Sequence, residues 1–565
     1  MRTLSGVPVS PGSAVGPVVQ VSPALTAPAN EPAPQGPEEA AASITAVERA
    51  FEDVAVGLQR RAEDAPGAAK EILGAAALMA RDRALLKAVS KRITDGCGPT
   101  RAVEASVAEY CAMFQAAGGY LAERVTDLCD VRDRVVARLL GEPEPGIPAL
   151  HGPCVLVARD LAPAETATLD ATLVRGIITE AGGRNSHTAI LAAGLGIPAA
   201  VQVAGATALE VGTIVAVDGD SGVVTVEPDQ ATQDTMQRKA FARRTALQAA
   251  SGPGRTKDGH PVALLVNIGT AQDAISAGPM DVEGVGLFRT EVLFLGKQSA
   301  PTVEEQTQIY RSVFAAFGTR RVVVRTLDAG ADKPLAFADL GEEENPALGR
   351  RGLRMGQAIP DLLDHQLEAL GAAAQGTSAE VKVMAPMVAT VDEAQWFAER
   401  VRAHGLPSAG VMIEIPAAAL RSRDVLDVVD FGSLGTNDLA QYTMAADRMQ
   451  GALSDLLDPW QPAVLDVIDA ACVGARAHGK PMGVCGESGG DPLMALVLAG
   501  LGVTSLSMAP GKVDLVRYAL SLHDLATCER LAAVARAART AGDGRAAVLR
   551  EVDPALRDVA VSRPA

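Results

Sequence analysis

The chain has 565 residues, 48% hydrophobic and 21% charged, with 55 Gly and 34 Pro; at about 150 residues per domain this allows three or four cores and excludes both a small binding module and wholesale disorder. Lys plus Arg number 51 and Asp plus Glu 68, so the formal net charge of −17, spread along the chain, repels phosphate backbones and argues against nucleic acid as a main partner. Seven cysteines, an odd count with no CxxC pair, encode neither a disulfide framework nor a zinc ribbon, and a reducing, cytoplasmic setting is expected.

The opening MRTLSGVPVSPGSAVG carries one basic residue and is broken by Pro and Gly before any apolar segment of signal-peptide length. Its short Val-rich runs read as strands and turns. A Pro/Ala/Glu-rich stretch to about Glu39 interrupts them, and a new unit follows. Ile44, Val47, Phe51, Val54 and Leu58 recur at helical spacing, as do Val103, Val107, Tyr110 and Phe114, and then Leu121, Val125, Leu128, Val131, Val135 and Leu139. Residues 40–141 are therefore expected to form a helical bundle. GEPEPGIPAL at 141–150 reads as a linker, because its prolines and glycines cannot continue a helix.

Strand-like runs return at 154–158, 176–179, 213–217 and 223–226, the last two joined by the hairpin signal DGDSG. The simplest topology makes the opening strands part of this α/β unit, with the bundle inserted between them. A polar helical segment then runs from 228 to 250 and ends in SGPGRTKDG, a second linker.

From Val262 the chain alternates: VALLVNIG, GVGLFRTE, RVVVRTLD, VKVMAPMV, GVMIEIP, FGSLGTND, PMGVCGES and SLSMAP are separated by helical stretches. Eight β/α units in about 250 residues predict a (β/α)8 barrel. The apolar stretch Leu493 to Met508 carries Gly500, Gly502, Thr504, Ser505 and Ser507 and reads as a buried helix turning into a strand, not as a membrane span. Arg289, Arg325, Glu414, Asn437, Asp438, Cys485 and Ser507 all fall at the C-terminal ends of the runs, the catalytic rim of such barrels.

Arg289 and Arg325 on successive strands, with Arg351 and Arg448 on nearby loops, match a small doubly anionic ligand; surface salt bridges are the plainer reading of each alone. Glu414 and Asp438 beside those arginines suit one hard divalent cation, most naturally Mg2+, or else they neutralise the arginines. Cys485 is either an inert small hydrophobe or a proton donor. In AGGRNSHTAILAAGLGIP, His187 sits at the expected N-terminus of a short helix, where free amides and the dipole favour an anion on or near the ring; a structural histidine is the alternative.

The segments GGRNSHTA, GVGLFRTE, VRTLDAGADKP, ENPALGRRGLR, GVMIEIPAA, GTNDLAQYTMAADR and GVCGES, in this order through almost the entire chain, resemble the signature segments of the Enzyme I family of the bacterial phosphotransferase system. GGRNSHT alone also fits pyruvate phosphate dikinase and phosphoenolpyruvate synthase, but those relatives carry a large nucleotide-binding domain for which this chain has no room. The resemblance implies a multidomain α/β protein: residues 1–21 and 144–228 a phosphohistidine swivelling domain, 22–143 a helical domain that binds the phosphocarrier protein HPr, 229–258 a linker helix and loop, and 259–565 a phosphoenolpyruvate-binding (β/α)8 barrel that forms the homodimer.

It further implies that His187 is the phosphorylated histidine and Thr166 its hydrogen-bonding neighbour. Arg289, Arg325, Arg448 and Asn437 would clamp phosphoenolpyruvate, Arg351 would be a further active-site arginine, Glu414 and Asp438 would hold Mg2+, and Cys485 would protonate the enolate to pyruvate. Two departures stand out: Asn185 replaces the usual Thr, and ILGAAALMARD lacks a His common on the HPr-facing helix, which bears on docking and not on the chemistry at His187. The competing readings are a Mg2+-dependent lyase or aldolase acting on pyruvate and a non-catalytic regulator. The first leaves His187 unexplained, and the second should have lost rim residues that are all present.

Overall fold

The computed structural model describes residues 2–560 except 23–24, 65–67, 118–124, 143, 149, 162–168, 171, 184–185, 296, 331–334, 339, 342 and 449. The chain divides into two compact units that meet in sequence at Arg243 and Arg244.

In the first unit eight strands form one sheet: β1 (Arg2–Ser5), β2 (Val7–Ser10), β3 (Ser13–Gln20), β4 (Cys154–Ala158), β5 (Val174–Thr179), β6 (Ala199–Val201), β7 (Ile214–Asp218) and β8 (Val223–Val226), in the order β1-β8-β7-β3-β4-β5-β6-β2. The hairpin β7–β8 forms at DGDSG, where Oδ1 of Asp218 accepts from the amides of Asp220 at 3.0 Å and Ser221 at 3.2 Å. Strand β3 pairs in parallel with β4, its Val18 opposite Val155, so the sheet continues across everything between residues 20 and 154.

That intervening chain is helical: Pro37–Asp64, Ala68–Ala80, Arg83–Thr94, Pro99–Ala117 and Val125–Leu140. The apolar face expected from the spacing packs inward, with Val47, Phe51, Val54, Leu58, Val103, Val107, Val131 and Val135 in one core separate from those of the sheet. Removing a ring such as that of Phe51 from this core costs about 3–5 kcal/mol. Where the insertion leaves and rejoins the sheet, Ser22 and Gly146 exchange backbone hydrogen bonds at 3.0 and 3.1 Å.

The second unit is a closed barrel of parallel strands: β9 (Ala263–Ile268), β10 (Gly284–Arg289), β11 (Arg321–Arg325), β12 (Glu380–Ala385), β13 (Ala409–Ile413), β14 (Phe431–Leu434), β15 (Met482–Val484) and β16 (Ser505–Met508), with β16 closing on β9. All eight expected apolar runs are strands, because each lies between a helix that covers its outer face and a barrel interior filled by Leu287, Val323, Met384, Met412, Phe431 and Cys485. The stretch after Asp491 is the helix Pro492–Leu501 followed by β16. No described helix is long and apolar enough to cross a membrane.

Candidate active site

The barrel mouth is built from strand ends. Arg289 and Arg325 are the last residues of β10 and β11 and stand opposite one another in the parallel register. Their surroundings differ sharply. Arg289 is exposed and makes no ion pair among the described residues. Arg325 is buried and donates to Oε1 of Glu291 at 2.5 Å, with Oδ2 of Asp328 at 3.0 Å. Burial works against its charge, but Asp328, Glu291 and Glu414 outweigh it, and the guanidinium holds its proton more tightly than an ordinary arginine.

Arg351, in the long segment after β11, is only 1% exposed. Its Nε and a terminal nitrogen donate to Asp328 at 2.9 and 2.9 Å, and its terminal nitrogens reach Asp438 at 3.2 and 3.3 Å. The guanidinium therefore lies between two carboxylates. Arg448 approaches Asp438 more loosely, at 3.5 Å, with a third of its side chain exposed. Its amide is anchored on Gln441 at 3.0 Å.

Asp438 is not on a strand, contrary to the sequence reading. Strand β14 ends at Leu434, and Gly435 leads at once into the helix Thr436–Met444, so Asn437 and Asp438 project from its first turn. The half-buried Asn437 accepts at Oδ1 from the amide of Glu487 at 3.3 Å.

Glu414 directly follows β13 and is fully buried. Oε1 accepts from the amide of Met387 at 2.7 Å, while Oε2 has no hydrogen-bond partner among the described residues. A Cβ at Gly435 would lie 2.5 Å from that oxygen, so only glycine fits there. Burial, then the nearby charges of Asp438 and Asp328, push Glu414 up to about 8. A buried, unpartnered carboxylate oxygen crowded by two other carboxylates fits a hard divalent cation, which would remove the repulsion.

Cys485 directly follows β15 and is buried, with Sγ 3.6 Å from the carbonyl of Leu434. Burial is the main cause that pushes its thiol up to about 11, against a hydrogen bond from Ser433. Ser507 lies within β16 and donates to Oδ1 of Asn267 at 2.6 Å, and Nδ2 of Asn267 reaches the Cys485 carbonyl at 3.1 Å.

In the first unit, His187 opens the helix His187–Leu195, which Ser186 caps by accepting from the amide of Ala189 at 3.3 Å and Gly196 ends in a left-handed conformation. Its side chain, like Thr166 and Asn185, lies outside the described residues. Buried Thr188 donates to Oδ1 of Asp160 at 3.0 Å, tying this helix start to the segment after β4.

Sequence reasoning missed Glu291, Asp328, Met387 and Asp160. The first two stand in the quoted RTE and TLDAGAD, where a carboxylate within three residues of a rim arginine is a readable signal. Met387 adopts φ +60, a conformation costing a non-glycine residue about 1–3 kcal/mol, and from it presents its amide to Glu414. Nothing in APMV announces that.

A family model described as the PEP-binding domain of PEP-utilising enzymes matches residues 243–525; those for the N-terminal and mobile domains match 5–124 and 150–222. The chain is 52% identical over 548 residues to a phosphoenolpyruvate-protein phosphotransferase of Streptomyces coelicolor, covering 96% of this chain and 98% of that one. It is 38% identical over 553 residues to one of Haloferax volcanii, covering 94% and 96%, and 38% identical over 470 residues to one of Bacillus subtilis, covering 80% and 82%.

Proposed function

The chain belongs to the PEP-utilising enzymes and, among them, to the phosphoenolpyruvate-protein phosphotransferases; from that membership we propose that it moves the phosphoryl group of phosphoenolpyruvate, with Mg2+, first to its own His187 and then to the histidine of HPr. This is the first step of a sugar phosphotransferase system.

The observation that carries the reading is the pair Arg289 and Arg325, side by side at adjacent strand ends and differently prepared. Arg325 is held rigid by Glu291 and Asp328, whereas exposed Arg289, with no ion pair among the described residues, can turn its fork of donors to a ligand. Fixed and free guanidiniums at one mouth suit a phosphate and a carboxylate on one small molecule. Asn437 and Arg448 complete the clamp. Arg351, whose donors are engaged by Asp328 and Asp438, orients those carboxylates instead of meeting substrate.

Glu414 and Asp438 would hold Mg2+, which supplies charge neutralisation to the phosphate oxygens when bound. The bond between phosphorus and the enol oxygen breaks as neutral His187 bonds to phosphorus. The arginines stabilise the charge on the transferring group and on the departing enolate, the main part of catalysis in phosphoryl transfer. Cys485, still protonated at neutral pH, gives its proton to the enolate carbon, and pyruvate results. Thr166 would hydrogen-bond His187, and the helical insertion, with its own core, would present HPr with its docking face. Homodimerisation through the barrel unit and a cytoplasmic location complete the reading; the seven free thiols support the second.

Incubation with labelled phosphoenolpyruvate and Mg2+ tests it: the protein should acquire an acid-labile, base-stable label, the signature of phosphohistidine. No label, or an acid-stable one, overturns it.

A further inference from the structure

We propose that Cys111 and Cys129 are a modification site for hydroperoxides, joined by a reversible intramolecular disulfide in the helical insertion. Their sulfurs lie 3.7 Å apart, on the helices Pro99–Ala117 and Val125–Leu140. No other pair of cysteine sulfurs among the described residues is in such contact. A disulfide measures about 2.05 Å, so closure needs the sulfurs to approach by roughly 1.7 Å, within reach of side-chain rotation on two packed helices.

The two thiols are not equivalent. Cys111 is buried in the bundle core, while Cys129 is half-buried and packs against that core. Arg132, paired with Asp133 at 2.7 Å, follows Cys129 by one helical turn, and its charge works against the upward shift of the Cys111 thiol. Burial, then the neighbouring Cys129, pushes Cys111 up to about 11. The more accessible member, Cys129, therefore reacts first and the buried one resolves.

The Cys129 thiolate attacks one oxygen of hydrogen peroxide; the O–O bond breaks, leaving a sulfenic acid, and the departing hydroxide takes up the thiol proton as water. The Cys111 sulfur then attacks the Cys129 sulfur. The S–O bond breaks and the hydroxyl leaves with the Cys111 proton as a second water. Two thiols lose two electrons and one peroxide gains them, and an external dithiol reverses the change. The bond closes the loop of residues 112–128, which restricts the unfolded chain and should raise the melting temperature of the first unit. In a reducing compartment the pair rests as thiols, so the staple forms only under oxidant.

The test uses the full chain, reduced and then exposed to about tenfold hydrogen peroxide, with remaining thiols titrated after unfolding. Titratable thiols should fall from seven to five. Trypsin cleavage after Arg101, Arg124 and Arg132 puts the two cysteines on separate peptides, and these should appear as one linked pair that dithiothreitol releases. In Cys111→Ser a sulfenic acid at Cys129 should persist and be trapped by dimedone; in Cys129→Ser the linked pair should vanish and the thiol count hold through the treatment. Seven thiols remaining in the wild type, a linkage dominated by other cysteines, or over-oxidation of Cys129 without a linked peptide would each overturn the proposal.

Discussion

Arg351 holds Asp438 through both terminal nitrogens, at 3.2 and 3.3 Å, while the same guanidinium holds Asp328 at 2.9 Å. One buried cation thus fixes two of the carboxylates that crowd Glu414, and Asp328 in turn pairs with Arg325 at 3.0 Å. The mouth is a linked network in which position, more than charge alone, is what each partner supplies.

Arg351 and Arg289 should therefore fail differently. Arg351→Ala takes from two buried carboxylates the cation they share, leaving Asp328 to Arg325 and Asp438 to the looser Arg448, and is expected to destabilise the barrel by about 3 kcal/mol. Arg289→Ala removes an exposed side chain that makes no ion pair among the described residues, so stability should change little while phosphoryl transfer falls on the order of 10³-fold. Urea unfolding beside single-turnover labelling separates the two; equal stability losses would contradict the network.

Cys485→Ala should slow pyruvate formation and leave Mg2+ affinity nearly unchanged. Because burial holds the thiol up to about 11, it stays protonated through pH 9. An ordinary thiol near 8.5 would already be mostly ionised there. The wild-type rate of enolate protonation should consequently show no decline assignable to this group between pH 7 and 9. A fall centred near 8.5 that Cys485→Ala abolishes would mean an unburied thiol.

Glu414 has a folded value of about 8 against 4.5 when exposed. Between those values the folded state keeps a proton that the unfolded chain releases, so without added cation stability should fall as pH rises through this window. Glu414→Gln should flatten that slope and weaken stabilisation by Mg2+. Urea midpoints at pH 6 and pH 8, with and without Mg2+, give the answer. An unchanged slope in the variant refutes the crowding argument.

His187→Ala should abolish labelling by phosphoenolpyruvate and transfer to HPr. Binding of phosphoenolpyruvate, measured by calorimetry, should persist nearly intact, since the arginine clamp belongs to the barrel unit. Retained labelling would move the acceptor elsewhere.

A fragment of residues 1 to about 230 should exchange phosphoryl groups with phosphorylated HPr and remain inert to phosphoenolpyruvate. A fragment from about 255 to 565 should bind phosphoenolpyruvate with Mg2+ and self-associate, but phosphorylate nothing. If the first labels itself from phosphoenolpyruvate, the donor site is not the barrel mouth.

Much of this protein was legible from the chain alone, for a local reason. Strand and helix periodicities are set by neighbours a few residues apart, so the eight barrel runs, the bundle face through Phe51 and Val54, and the helix opening at His187 could be read directly. Closure of the sheet around the insertion followed because interrupted strands must be paired. The tertiary structure alone decided how the rim is wired. That Arg289 makes no ion pair among the described residues while Arg351 is locked between Asp328, 23 positions before it, and Asp438, 87 positions after it, depends on a buried volume that only the fold assembles. The same holds for Glu414, whose raised pKa comes from burial and from carboxylates on a helix start and a loop, and for Cys111 and Cys129, which helix packing brings within 3.7 Å. Spacing along a sequence encodes faces; desolvation and Coulomb energy act on distances that only the packed fold defines.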